Sequence, residues 1–127
     1  MGVGEGKTVL VVDDDASLRL LCRVNLELDG YRVLEAGSVA EGAARLAEGE
    51  IDAMLLDLHL GDGDGRDLLA SLGEGRPPVA LFTGSETIGP ELHAVAEEVL
   101  PKPFQLDALL ATVRRLVSRR GGIDSAR

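Results

Sequence analysis

Tryptophan is missing from this 127-residue chain, which has one tyrosine and two phenylalanines. A core without aromatic bulk must be aliphatic and rich in alanine, and a hydrophobic content of 45% is enough to build one. Cysteine is nearly absent too. With Cys22 alone there is no internal disulfide framework, which fits a reducing, cytoplasmic compartment. Cys22 itself reads as a small buried apolar residue. Positive charge is scarce: 13 lysines and arginines stand against 22 acids, for a net charge of −9. That balance argues against nonspecific nucleic-acid binding and suits a protein that holds a cation. No apolar run approaches the roughly 20 residues of a membrane span. No basic-then-apolar leader is read at the start. The length is that of one domain.

The apolar residues that are present fall into short runs separated by helical patterns. "MGVGEG" at 1–6 reads as a loose N-terminus, and the run at 9–12 as a strand covered on both faces. A helix follows with Leu18, Leu21, Cys22 and Leu26 on one side, and Gly30 fits its stop. Residues 31–36 read as a second strand. Ser38 and Glu41 make a capping-box pattern, followed by a stripe of Ala40, Ala43, Ala44 and Ala47. Residues 51–57 form a third strand, "GDGDG" at 61–65 a turn, and 66–72 a short helix. The fourth strand is expected at 79–82 and a helix near 90–98, then a short fifth strand at 98–100. Leu106, Leu109, Leu110, Val113, Leu116 and Val117 mark the last helix, with a frayed tail after Ser118. Strand and helix alternating about five times predict an α/β fold: a doubly wound parallel sheet with right-handed crossovers.

"VLVVDDD" runs an apolar strand straight into three carboxylates. In an open α/β sheet, ligands sit beyond the carboxyl ends of the strands. Asp13 and Asp14 end strand one, Asp57 ends strand three, Thr83 ends strand four and Lys102 follows strand five. The sheet therefore gathers these residues at one edge. Like charges ~4 Å apart cost about 4 kcal/mol at an effective dielectric of 20, so something positive must offset them. An oxygen-rich site with spare water positions suits Mg²⁺, and Lys102 adds a fixed cation. Carboxylates, a metal, a lysine and a hydroxyl are what phosphoryl transfer needs. Asp15 is the expected helix cap. Arg114, Arg115, Arg119 and Arg120 read as a solvated helix end that suits the C-terminal dipole, and His93 as a surface helix residue.

"VLVVDDD", "LLDLHLGDGDG", "LFTGS" and "LPKPF", in this order and spacing, resemble the receiver domain of two-component response regulators. The resemblance spans residues 7–118, leaving 1–6 and 119–127 as loose ends. It implies a CheY-like sheet of five parallel strands in the order 2-1-3-4-5 with five helices. It implies a phosphoacceptor signalling domain rather than an enzyme, one that assists its own phosphorylation and dephosphorylation. Asp57 would be the phosphoacceptor. Asp14 would hold Mg²⁺ directly and Asp13 through water, with Asp57 and the backbone carbonyl of His59 as further ligands. Thr83 and Lys102 would contact the phosphoryl oxygens, and the Lys102–Pro103 bond would be cis. The His59 side chain stands at a position that tunes hydrolysis in the family, or is an inert solvated ring. The implied partners are a sensor histidine kinase or histidine phosphotransfer protein, and a downstream protein or output domain outside this chain. Neither direct nucleic-acid binding nor membrane association is implied.

Three departures from the family pattern touch the output side. Val99 stands where an aromatic switch residue is usual, Gly61 replaces a frequent proline, and stretches 66–78 and 84–98 are short. A degenerate receiver that binds partners without phosphorylation is therefore one alternative. Another is a haloacid-dehalogenase-type phosphohydrolase, since "VLVVDDDASL" also resembles that family's motif, with Asp13 as nucleophile and Asp15 as acid. That reading lacks the second acidic pair it needs after the lysine and leaves Asp57 idle.

Overall fold

The computed structural model describes residues 6–84 and 94–125, with side chains through Arg119. Seven strands and four helices are described: β1 (Thr8–Val12), α1 (Ala16–Leu28), β2 (Arg32–Ala36), α2 (Val39–Glu48), β3 (Ala53–Asp57), β4 (His59–Leu60), β5 (Gly63–Asp64), α3 (Gly65–Ala70), β6 (Val79–Gly84), β7 (Glu98–Lys102) and α4 (Leu106–Ser125). Five strands form one sheet in the order β2-β1-β3-β6-β7, every pairing parallel. This is the expected 2-1-3-4-5 order once the β4–β5 hairpin, which stands where a plain turn is expected, is set aside.

Period-two alternation sorts the strand residues into two cores. Leu10, Val12, Met54, Leu56, Val79 and Leu81 face α2 and α3; Val9, Val11, Leu55, Ala80 and Phe82 face α1 and α4. Both faces are covered, so β1 and β3 bury all five of their residues. Asp15 caps α1, its carboxylate accepting from the Ser17 and Leu18 N–H groups, and Gly30 ends that helix at φ 97°. Ser38 caps α2 by accepting from the Glu41 N–H, while the Glu41 carboxylate accepts from Gly37 rather than closing the box on Ser38 itself.

Several expectations need correcting. Leu21 is exposed, not on the buried side of α1. The alanine stripe of α2 faces outward; the helix packs through Val39, Gly42 and Leu46, and a Cβ on Gly42 would come within 3.2 Å of Leu68. Alanine tolerates either face, so its spacing carried little information. The helix expected at 66–72 spans Gly65–Ala70. Four helices are described rather than five: of the helix expected near 90–98, only 94–95 are helical among described residues, and Glu98 already belongs to β7. His93 and residues 1–5 lie outside the described residues. The tail does not fray from Ser118, because the α4 backbone stays helical to Ser125. Apolar spacing, which ends at Val117, reports burial and not helicity. Arg114 and Arg115 are not merely solvated. Arg114 pairs with Asp29 at 3.1 Å and Arg115 with Glu98 at 3.1 Å, fastening α4 to the end of α1 and to β7.

Candidate functional site

The carboxyl edge of the sheet collects the residues singled out from sequence. Asp13 follows β1, Asp57 ends β3, Thr83 sits near the end of β6 and Lys102 ends β7. Register fixes their heights: Asp57 pairs with Phe82, Thr83 with Pro101 and Gly84 with Lys102. One carboxylate oxygen from each of Asp13, Asp14 and Asp57 lies within 4.8 Å of the others. Hard oxygen donors at that spacing, with Asp14 exposed to admit water ligands, fit Mg²⁺.

Asp13 is fully buried, and its charge is met on both oxygens. Oδ1 accepts from the Asp15 N–H at 2.9 Å and Oδ2 from Lys102 Nζ at 2.8 Å. Lys102 also reaches Asp57 Oδ2, at 3.5 Å. Burial pulls the lysine toward neutrality, but Asp13 and Asp57 outweigh it and hold its pKa above the ordinary value. Its ammonium lies 5.5 Å from the Phe82 ring centre, and Phe82 stacks on Phe104 at 5.2 Å, so the cation rests on an aromatic floor. The Lys102–Pro103 bond is cis, as expected from the resemblance.

Asp57 retains slight exposure at 8%. Burial pushes its carboxyl above the usual range, the His59 N–H at 3.2 Å pulls it down, Asp13 pushes it up and Lys102 pulls it down. A carboxylate held among these groups is reachable from solvent yet poorly hydrated, which favours a nucleophile. Asp13, wholly buried and occupied by two donors, lacks that access. Thr83 is buried, and its hydroxyl donates to the Gly84 carbonyl at 3.1 Å. The His59 ring is exposed. Cys22 lies behind the cluster; burial and then Asp13 push its thiol up to about 12, which makes it inert at neutral pH.

Sequence reasoning missed three supports. Asp62, in the hairpin turn, accepts from the Val39 and Ala40 N–H groups and so caps α2 from a distance. Two backbone N–H bonds hold its carboxyl below the usual range. Gly65 runs so close beneath Asp57 that an added Cβ would collide with the Asp57 carbonyl. The last glycine of "GDGDG" was its only sequence signal, and turns use glycine for other reasons. Gly65→Ala should cost about 1–3 kcal/mol through overpacking, read as a lower urea midpoint; an unchanged midpoint would mean that the loop yields freely. The third support, Arg19, had no signal beyond its place on α1. Val99, expected at a switch position, is partly buried against the core facing α2 and α3 and pairs with Leu81.

A family profile described as "Response regulator receiver domain" matches residues 9–114. Among curated proteins, the chain is 35% identical over 123 residues to the response regulator MprA of Mycobacterium tuberculosis, spanning 93% of this chain and 54% of that one. It is 36% identical over 123 residues to the swarming motility regulation protein RssB of Serratia marcescens, spanning 92% and 56%. The chain thus spans about half the length of these relatives. Among solved structures, a CheY-like receiver domain protein from Methanospirillum hungatei superposes with a TM-score of 0.82 at 28% identity, over 91% of this chain and 97% of that one. The chemotaxis regulator CheY4 of Vibrio cholerae gives 0.77 at 28%, over 87% and 98%.

Proposed function

Because the chain belongs to the response regulator receiver-domain family of two-component signalling, we propose that Asp57 is its phosphoacceptor and that Asp13, Asp14, Asp57 and the His59 carbonyl hold the Mg²⁺ the transfer needs. The observation that carries this reading is the joint placement of three carboxylates within 4.8 Å with Lys102 salt-bridged to two of them. The arrangement sets Asp13, Asp14 and Lys102 around Asp57, a carboxylate largely withdrawn from water yet still reachable from it.

Asp57 attacks the phosphorus of a phosphohistidine; the new O–P bond forms as the P–N bond breaks, and the imidazole nitrogen leaves carrying the electron pair and takes a proton from solvent. Asp13, Asp14, Asp57 and the His59 carbonyl would hold Mg²⁺, which would supply neutralisation of the phosphoryl charge. Lys102 exchanges part of its contact with Asp57 for a phosphoryl oxygen, and its hold on Asp13 keeps it aimed. The Thr83 hydroxyl, one residue beyond the strand partner of Asp57, turns from the Gly84 carbonyl to the phosphoryl group. The same constellation positions water for hydrolysis, so the domain assists its own dephosphorylation. Loading changes which proteins it binds.

A sensor histidine kinase or histidine phosphotransfer protein is the donor, and a cytoplasmic protein or output domain outside this chain is the receiver of the signal. No helix among the described residues is long and apolar enough to cross a membrane. Leu20, Val24 and Leu28, about one turn apart, form an exposed apolar stripe along α1, which starts at the site and runs away from it. Val99 is too small and too rotamer-restricted to act as a rotating aromatic switch, so the output passes through Thr83 and the backbone after β6. The segment that follows β6 lies outside the described residues from 85 to 93.

Acetyl phosphate with Mg²⁺ should add one phosphoryl group to the protein, visible by intact mass and removed by hydroxylamine. Chelating the metal should suppress it. A stable adduct that resists hydroxylamine, or one formed equally well without metal, would contradict the reading.

A further inference from the structure

We infer that Arg19 is a positioning residue for the metal site, holding the turn that carries Asp13 and Asp14. The inference rests on the reading that this acidic cluster binds Mg²⁺. Arg19 lies on the first turn of α1 that follows the acids, with a side chain only 19% exposed. Its Nη1 donates to the backbone carbonyl of Asp13 at 2.6 Å, and its Nε donates to Glu35 Oε1 at 3.0 Å. One guanidinium therefore spans the end of β1 and the neighbouring strand β2. The chain leaves room for it: an added Cβ on Gly37 would stand 3.1 Å from Nη1. The Asp13 N–H donates to the Ala36 carbonyl at 3.0 Å, so both backbone polar groups of Asp13 are fixed.

That arrangement matters because Asp13 and Asp14 stand on irregular backbone between β1 and α1. Lys102 grips the Asp13 carboxylate from the far side of the site, but a lysine constrains a charge, not a peptide plane. The planar fork of Arg19 sets the plane. It orients Asp13 and, through the next peptide, Asp14, without touching the metal. Losing a group that orients a metal ligand from this outer position commonly costs about 10–100-fold in metal affinity.

Charge and positioning predict opposite outcomes. Arg19 is a cation beside the acidic cluster, so as a charge alone it opposes Mg²⁺; as a positioning residue it favours it. The test is titration calorimetry with MgCl₂ alone on the full chain as wild type, Arg19→Lys and Arg19→Ala. Lysine keeps the charge but replaces the planar two-nitrogen fork with a single rotatable ammonium, which does not fix the Asp13 peptide plane. Both variants should bind Mg²⁺ about tenfold more weakly, at the low end for outer-sphere partners. If Arg19→Ala binds more tightly while Arg19→Lys is unchanged, Arg19 is only a charge and the inference fails. If both bind as the wild type does while the metal-free melting temperature falls, its role is merely structural and the inference fails again. Should Arg19→Ala not fold, Arg19→Lys decides alone: tenfold weakening supports positioning, and unchanged affinity overturns it. A wild type that binds no Mg²⁺ overturns the reading of the metal site itself, a failure distinct from that of Arg19.

Discussion

Asp57→Asn is expected to lose phosphoryl uptake from acetyl phosphate completely and, free of metal, to melt higher than the wild type at neutral pH. The first effect follows from removing the nucleophile. The second follows from the carboxyl's surroundings. Burial and Asp13 raise its pKa above the ordinary 3.8 in the folded protein, against the His59 N–H and Lys102. A raised folded pKa means that the native state holds the proton more tightly than the unfolded chain does. The stability this provides is fully present below 3.8 and is lost as pH rises through the folded value. At neutral pH the ionised Asp57 is therefore a liability, which uncharged asparagine of the same shape removes. Melting curves in chelator should show the two proteins converging toward acid pH. They should separate by the order of a few degrees toward neutrality. A gap that stays constant with pH would mean that the Asp57 carboxyl is not the group responsible.

Phe82→Ala is the second large effect. Phe82 is fully buried, stacks on Phe104 and lies under the Lys102 ammonium. Truncating a buried phenylalanine costs about 3–5 kcal/mol, a large share of the roughly 5–15 kcal/mol that stabilises a typical domain. Among the described residues, Phe82 and Phe104 make the one aromatic stacking pair. The urea midpoint should fall sharply. Phosphoryl uptake should slow as well, because Lys102 loses the surface that holds it between Asp13 and Asp57. Phe82→Leu, which keeps most of the volume, separates the two effects: it should recover most of the stability but less of the uptake rate. If stability drops by less than about 1 kcal/mol in the alanine variant, core packing does not hold this end of β6.

What the sequence disclosed, and what it did not, follows from which interactions have a periodic signature. The strands were legible because residues 9–12 and 53–56 are apolar without a break, the pattern of a sheet covered on both faces. Parallel topology then brought Asp13, Asp57, Thr83 and Lys102 to one edge with no further information. Asp15 was legible as a cap because its position alone defines the role. The supports were not legible. Asp62 caps α2 from 23 residues away in sequence, and Arg19 reaches back to a backbone carbonyl. Neither contact has a local pattern. The β4–β5 hairpin looked like a turn because two-residue strands leave no alternation to read. Leu21 was assigned to the wrong side of α1 because the helix carries more apolar residues than its core face can bury, with Leu20, Val24 and Leu28 left outside as well.

The most direct test of the account is the position of the acyl phosphate. Treating the phosphorylated protein with borohydride reduces an aspartyl phosphate to homoserine, and peptide mass spectrometry then identifies the residue. Homoserine is expected at position 57, with unmodified aspartate at 13 and 14. Homoserine at 13 would contradict it, and would show that the buried, lysine-paired carboxylate is the nucleophile.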